Sequence, residues 1–304
     1  MRFLHGRRRR AGSPTPVPSS PSSLIRCRPA LGTYVKITLH GGKAHRDPEE
    51  GGLLEHSQTA FREIHRIEKL MSFHDPDSEL SRINRGAHKD PIQVSSEMME
   101  VLSFALDLSR STDGAFDITV ADELVRRGEL PDPGHSTEAG VSWRDVSLEG
   151  GRVGFRKPLL LDLGGIAKGY AVDRALSVLP KGLAAVVDAG GDLRMSPWRG
   201  RRVHLRVPAP RIGGPTLVTT PMRAAAVASS GAHPGDGGAT ILCPDRRQPA
   251  QGPAAVSVFA ASCMEADAFT KLARLRPAHP LWDRLAAVPL AVEADGTCRP
   301  LGRV

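Results

Sequence analysis

Several stretches of this sequence carry residue types whose spacing suits chemistry on a charged ligand. In LDLGGIAKGYAVD, residues 161 to 173, Asp162 precedes the pair Gly164-Gly165 and Lys168 follows it. Glycines at a strand-to-helix turn let a ligand touch the backbone, and the first N–H groups of the helix point at that ligand. A lysine in the first turn adds a compact positive charge suited to phosphate. The residue order excludes two familiar nucleotide turns: G-G-x-x-x-G is not G-x-G-x-x-G, and Lys168-Gly169 reverses the G-K-[ST] of a P-loop. The plain alternative is a tight turn with an exposed lysine. Asp162 argues against it, because a carboxylate after the apolar run Leu159 to Leu161 is costly unless paired or ligated.

Further acids recur beside turns. In VDAGGDLRM, Asp188 and Asp192 flank Gly190-Gly191, a pair that reads as a hairpin turn. In TDGAFDITV, Ala115, Phe116 and Asp117 follow the turn formers Asp113-Gly114. In SVFAASCMEADAFTKLARL, a helix starting near Met264 puts Asp267, Thr270 and Lys271 on one face. That face offers either oxygen ligands of the hard kind that Mg²⁺ prefers or an Asp to Lys helix pair.

The elements that position these residues follow from periodicity. LGTYVKITLH, from Leu31 to His40, alternates as a half-buried strand; SQTAFREIHRIEKLM and SSEMMEVLSFALDLSRS repeat at helical spacing; Leu80 and Ile83 bury one side of a short helix. LLLDLGG, GLAAVVDAGGDLRM, RVHLRVPAP and AAVSVFAAS read as strands, with helices at about 166 to 179 and 264 to 275. Strands and helices mingle without strict βαβ alternation, so the expected class is α+β, mixed sheets with packed helices.

With 304 residues, 40% hydrophobic and 24% charged, the chain is long enough to bury a sizeable core. The net charge of +8 and pI near 9.7 gather partly in Arg7 to Arg10, within a Pro- and Ser-rich leader. Residues 1–25 are expected to be a solvated leader and 26–304 a single catalytic unit. No recognition module accompanies the basic run, so no nucleic-acid partner is expected. No apolar run is long enough for a secretory signal or a membrane span, which places the chain as given in the cytoplasm. The cysteines Cys27, Cys243, Cys263 and Cys298 lie far apart, without the spacing of a zinc site or a disulfide framework.

Taken in order, ALGTYVKITL, IEKLMSFHDPDSELSRIN, TDGAFDITV, LDLGGIAKGYAVD, VDAGGDLRM and VSVFAASCMEADAFTKLA resemble the FAD:protein FMN transferases, the ApbE-like family. The resemblance covers about Arg26 to Leu275 and implies a fold related to the T-fold. It implies transfer of the FMN moiety of FAD to a threonine hydroxyl of an acceptor protein, with release of AMP. It assigns Leu31 and His74 to the flavin pocket, Ala115, Phe116 and Asp117 to FAD contacts, and Asp162 and Lys168 to the polar parts of FAD. It gives Mg²⁺ the carbonyl of Gly165 and the side chains of Asp267 and Thr270. Lys168 supplies charge beside the phosphates, and Asp267 and Asp117 are equal candidates for accepting the threonine proton.

The sequence departs from the family pattern at three places. Leu31 replaces a methionine, a near volume match. The metal threonine stands four residues after the aspartate in the family, where this chain has Lys271, with Thr270 one residue earlier. A strand histidine of the family is absent: Ala239 and Thr240 fill those positions, which leaves His233 as the nearby histidine. Two other readings share the pocket, an FAD pyrophosphatase giving FMN and AMP and a flavin-binding protein without turnover. Family members are often exported and lipid-anchored. Monomer and homodimer are both open.

Overall fold

The computed structural model describes residues 23–41, 50–208, 216–231, 241–245, 247–253 and 255–302. One eight-stranded antiparallel sheet organises them. Its strands are β1 (Ser23–Ala30), β2 (Thr33–His40), β3 (Ala184–Ala189), β4 (Asp192–Ser196), β5 (Ala226–Gly231), β6 (Ala255–Ala260), β7 (Val288–Val292) and β8 (Cys298–Pro300), and each pairs with the next in the chain. An antiparallel meander with helices on one face is an α+β arrangement, as the mingled pattern predicts.

The helices enter through two insertions. Between β2 and β3 come α1 (Glu50–Met71), α2 (Glu79–Gly86), α3 (Ser96–Ser111), α4 (Ala121–Arg126) and α5 (Ala167–Ser177); between β6 and β7 comes α6 (Cys263–Leu275). On α1, Phe61, Ile64, Ile67 and Met71 recur at helical spacing and are almost wholly buried. Each such side chain contributes roughly 1.5–3 kcal/mol on leaving water. They meet Val35, Ile37 and Leu39 of β2 and Val187 of β3 in one core cluster.

A second core lies on the opposite face. The hairpin Arg202–Arg206 with Leu217–Pro221 buries Val203 and Leu205 against Leu193, Val227, Phe259 and Leu290. β6 is therefore covered on both faces, which explains why all six of its residues, Ser257 among them, are buried.

Three expectations change. Strand β1 begins at Ser23, so Ser23 to Ile25 pair with Thr38 to His40 instead of belonging to a solvated leader. The edge position of β1 hides it from periodicity, because its residues up to Pro29 alternate between exposed and half-buried and Ala30 alone is buried. Leu31 and Gly32 form the turn between β1 and β2, so that strand starts at Thr33. LLLDLGG is not a strand. Leu161 is instead held by Asn84, whose Nδ2 donates to the Leu161 carbonyl at 3.0 Å while its Oδ1 accepts the Leu161 N–H at 2.9 Å. Among the described residues no helix is long and apolar enough to cross a membrane.

Candidate functional site

A cleft of about 730 Å³ opens where the β1–β2 turn, the β3–β4 turn, the loop 115–118, the turn before α5 and the Arg202–Arg206 hairpin converge. That is the size range of cofactor pockets. Leu31, Ala115, Phe116, Asp117, Asp162, Gly165 and Lys168 all line it, although they lie far apart in the chain. His74 does not line it, but its ring acts electrostatically on Asp162. Asp267 and Thr270 do not line it either, whereas Lys271 does.

The two hairpin turns present backbone to the cleft. Leu31 and Gly32 have φ of 56° and 69°, and Gly190 and Gly191 have φ of 68° and 106°. These left-handed pairs suit the twist of two-residue hairpins. Leu31 lacks glycine's freedom, and its strained backbone is held by the N–H donating to Glu68 Oε1 at 2.6 Å. At Gly190 an added Cβ would lie 2.5 Å from Thr33 Oγ1, so the neighbouring turn leaves no room for a side chain.

The turn before α5 is fixed by its own polar groups. The Asp162 N–H donates to the Ile118 carbonyl at 2.9 Å, and Asp162 Oδ1 accepts the Gly164 N–H at 3.0 Å. Asp162 Oδ2 has no donor among the described residues. Burial pushes the Asp162 carboxyl above the usual range, against the Gly164 hydrogen bond and the Lys271 charge. Lys168 Nζ donates to Asp192 Oδ2 at 2.7 Å. The buried Asp192 carboxylate raises the Lys168 ammonium above its ordinary value against the opposing effect of burial, so Lys168 stays charged.

Asp117 is a clamp. Its Oδ1 accepts the Thr119 N–H and hydroxyl, both at 2.8 Å, and its Oδ2 accepts the Trp143 N–H at 3.1 Å. Burial pushes the Asp117 carboxyl above the usual range, against the Thr119 and Trp143 hydrogen bonds and the Arg247 charge, and with both oxygens engaged it holds the loop to Trp143.

Helix α6 enters with a capping box, in which Ser262 accepts the Glu265 N–H and the Glu265 carboxylate accepts the Ser262 N–H. Asp173 of α5 adds a cross-helix cap, accepting the Cys263 and Met264 N–H groups at 2.8 and 2.9 Å. The helices touch at Gly169, where an added Cβ would lie 2.2 Å from the Cys263 carbonyl oxygen. That approach lets the Gly169 N–H donate to Asp267 Oδ2 at 3.2 Å.

The residues assigned to Mg²⁺ do not fit the ion. Lys271 Nζ donates to Asp267 Oδ1 and, at 3.0 Å, to the Asp267 carbonyl. Thr270, 1% exposed, turns its hydroxyl back to that carbonyl at 2.7 Å and lies away from the cleft. Mg²⁺ needs oxygen donors in near-octahedral array, and here one carboxylate has both oxygens engaged and an ammonium group at its side. Burial raises the Asp267 carboxyl, but the charges of Lys271 and Lys168 and the hydrogen bonds from Lys271 and the Gly169 N–H outweigh it and hold it below the usual carboxylate range.

Sequence reasoning left Asp192, Asp173 and Lys271 without site roles. Asp192 has a visible signal, since it follows the Gly190-Gly191 turn and pairs in register with Ala189. Asp173 has none, because its partners, the N–H groups of Cys263 and Met264 and the Arg194 guanidinium, lie 90, 91 and 21 residues away. His233, Ala239 and Thr240 lie outside the described residues.

The profile of the ApbE family matches residues 31–285. An FAD:protein FMN transferase of Vibrio cholerae is 30% identical over 167 residues, covering 47% of this chain and 50% of the relative. One from Salmonella typhimurium is 28% identical over 211 residues, covering 62% of this chain and 59% of the relative. The chain thus spans about half the length of the curated relatives it matches. The crystal structure of an ApbE protein from Thermotoga maritima matches with a TM-score of 0.75 at 24% identity, covering 92% of this chain and 97% of the other. The flavin transferase ApbE from Vibrio cholerae matches with a TM-score of 0.74 at 22% identity over the same shares. These two likenesses concern the fold; with the profile spanning most of the sequence, the chain belongs to the ApbE family.

Proposed function

We propose that this chain transfers the FMN moiety of FAD to a threonine hydroxyl of an acceptor protein and releases AMP. The observation that carries the reading is the single cleft in which the flavin-side residues Leu31 and Phe116 meet the lysines 168 and 271. An apolar floor suits the ring system, and two ammonium groups suit the pyrophosphate.

The step follows from that placement. The threonine oxygen bonds to the phosphorus that carries the riboflavin. The bond from that phosphorus to the bridging oxygen breaks, and AMP leaves with that oxygen and the electron pair. The hydroxyl proton passes to Asp162 Oδ2, which is better placed than Asp117 or Asp267 because both oxygens of each of those are engaged. Lys168 and Lys271 hold the charge that grows on the phosphate oxygens. The magnesium dependence implied by the resemblance is not part of this reading, since the donor set does not fit the ion.

Incubation with FAD and a threonine-bearing acceptor should give a covalently fluorescent acceptor and stoichiometric AMP. Asp162→Asn should lower the rate by about 10²–10⁴-fold. The rate should fall with acid as Asp162 protonates, at a pH above the ordinary aspartate value of about 3.9, because burial raises this carboxyl. AMP without labelled acceptor would replace transfer with hydrolysis; tight FAD binding without AMP would leave only a flavin carrier.

A further inference from the structure

We propose that the Lys271 ammonium, held by Asp267 while its stem crosses Gly165, is the resident cation of this site in place of a divalent metal, so that the chain binds the pyrophosphate of FAD without a metal ion. The inference rests on the flavin reading for its ligand and on the geometry of α6 for its cation.

Four observations converge. The Lys271 ammonium contacts Asp267 twice, at Oδ1 and at the main-chain oxygen. Its stem crosses Gly165 so closely that an added Cβ there would lie 3.0 Å from Lys271 Cε and 3.6 Å from Cδ. The neighbouring hydroxyl is spent on the helix backbone, where Thr270 Oγ1 bonds the Asp267 carbonyl. Among the described residues no group of three or more His, Cys, Asp or Glu side chains is disposed to hold a metal. A dication would have to displace an ammonium group from a nearly inaccessible carboxylate, 1% exposed, and then share the space with it. The charge needed beside the phosphates is present without it, because Lys168 and Lys271 both line the cleft.

The substitution changes the kind of contact as well as its source. A metal ion binds phosphate oxygens in a fixed geometry, whereas an ammonium on a flexible stem is a point charge with rotatable donors. The site therefore trades coordination for hydrogen bonding, and chelators should leave it intact.

Two readouts on the full chain test this. Manganese titration, followed by the electron paramagnetic resonance of the free ion, should reveal no stoichiometric site in the unaltered protein. Lys271→Thr should gain one, at least about tenfold tighter, the scale of a change beside a metal ligand. FAD binding, followed by flavin fluorescence, should be the same in EDTA and in magnesium for the unaltered protein and for Lys271→Arg, and should become magnesium-dependent in Lys271→Thr. One tightly held manganese per unaltered chain, or loss of FAD binding in EDTA, overturns the proposal. If Lys271→Thr fails to fold, the unaltered protein's titration decides alone. If FAD binds in neither buffer, the flavin reading falls while the manganese result still decides the cation assignment.

Discussion

The turn before α5 and the middle of α6 meet where Gly165 faces the Lys271 stem, yet they serve the cleft by different means. The turn is built from backbone: the glycines 164 and 165 and an Asp162 tied to the Gly164 N–H. Helix α6 works through side chains, and only one of them, Lys271, reaches the cleft wall before Leu275. The contrast teaches how differently two neighbouring segments can line one wall. At the turn an added Cβ on Gly164 would come 3.2 Å from Asp162 Oδ2 and one on Gly165 would come 3.0 Å from Lys271 Cε, so a side chain there would have to push those groups aside. On the helix the chemistry rests with a single side chain, the ammonium of Lys271 beside Asp267.

The lysines sharpen that contrast. Lys168 pairs across the fold with Asp192, whereas Lys271 pairs within its own helix turn with Asp267. The largest expected effect comes from removing the second. Lys271→Met leaves the Asp267 carboxylate buried beside Lys168 alone, and should cost about 3–5 kcal/mol in urea unfolding. A cost no larger than that of an exposed ion pair would erase the distinction between the regions. The pH dependence has a definite sign. Asp267 titrates below the ordinary value in the folded state, so the unfolded chain binds more protons near its own pKa of about 3.9. The pair's stabilisation is fully present above that value and is lost as pH falls through the lowered folded value. Lys271→Met should flatten this acid limb.

An intermediate effect is expected where α5 and α6 touch. Gly169→Ala puts a methyl 2.2 Å from the Cys263 carbonyl oxygen and must part α5 from α6. A loss of about 1–3 kcal/mol in thermal unfolding is expected, together with weaker FAD binding as Lys271 moves away from Gly165. Unchanged stability would mean that the helices do not pack this closely.

The smallest effect concerns the strained turn opposite. Leu31→Gly relieves a left-handed non-glycine residue and should gain about 1 kcal/mol of stability. The same change removes a side chain from the cleft wall, so FAD affinity should fall. A variant with unchanged affinity would remove Leu31 from the flavin pocket.

Much of this molecule can be read from its order of residues. The helix at Phe61 to Met71, the capped helix at Ser95, the Gly190-Gly191 hairpin and the α6 segment all announce themselves through spacing of three and four, alternation, or turn chemistry. Strand β1 does not, since an edge strand over a helix layer can keep polar residues on both sides. LLLDLGG imitates a buried strand because an apolar run carries no period; Asn84, 77 residues away, decides otherwise.

The site divides in the same way. The sequence by itself determined which residue types were available: an acid before two glycines, a lysine in the next turn, and an aspartate with a threonine and a lysine behind it on one helix. It could not choose between a magnesium site and an Asp to Lys pair, because adjacent positions on a helix differ by about 100° of rotation, and either can face a ligand until the helix is docked. Tertiary structure made that choice. The contact at Gly169 fixes the rotation of α6 against α5, turning Thr270 into the core and Lys271 toward Gly165. It also brought Asp192 to Lys168 and Asp173 to the start of α6, pairings that depend on chain crossings no local pattern encodes.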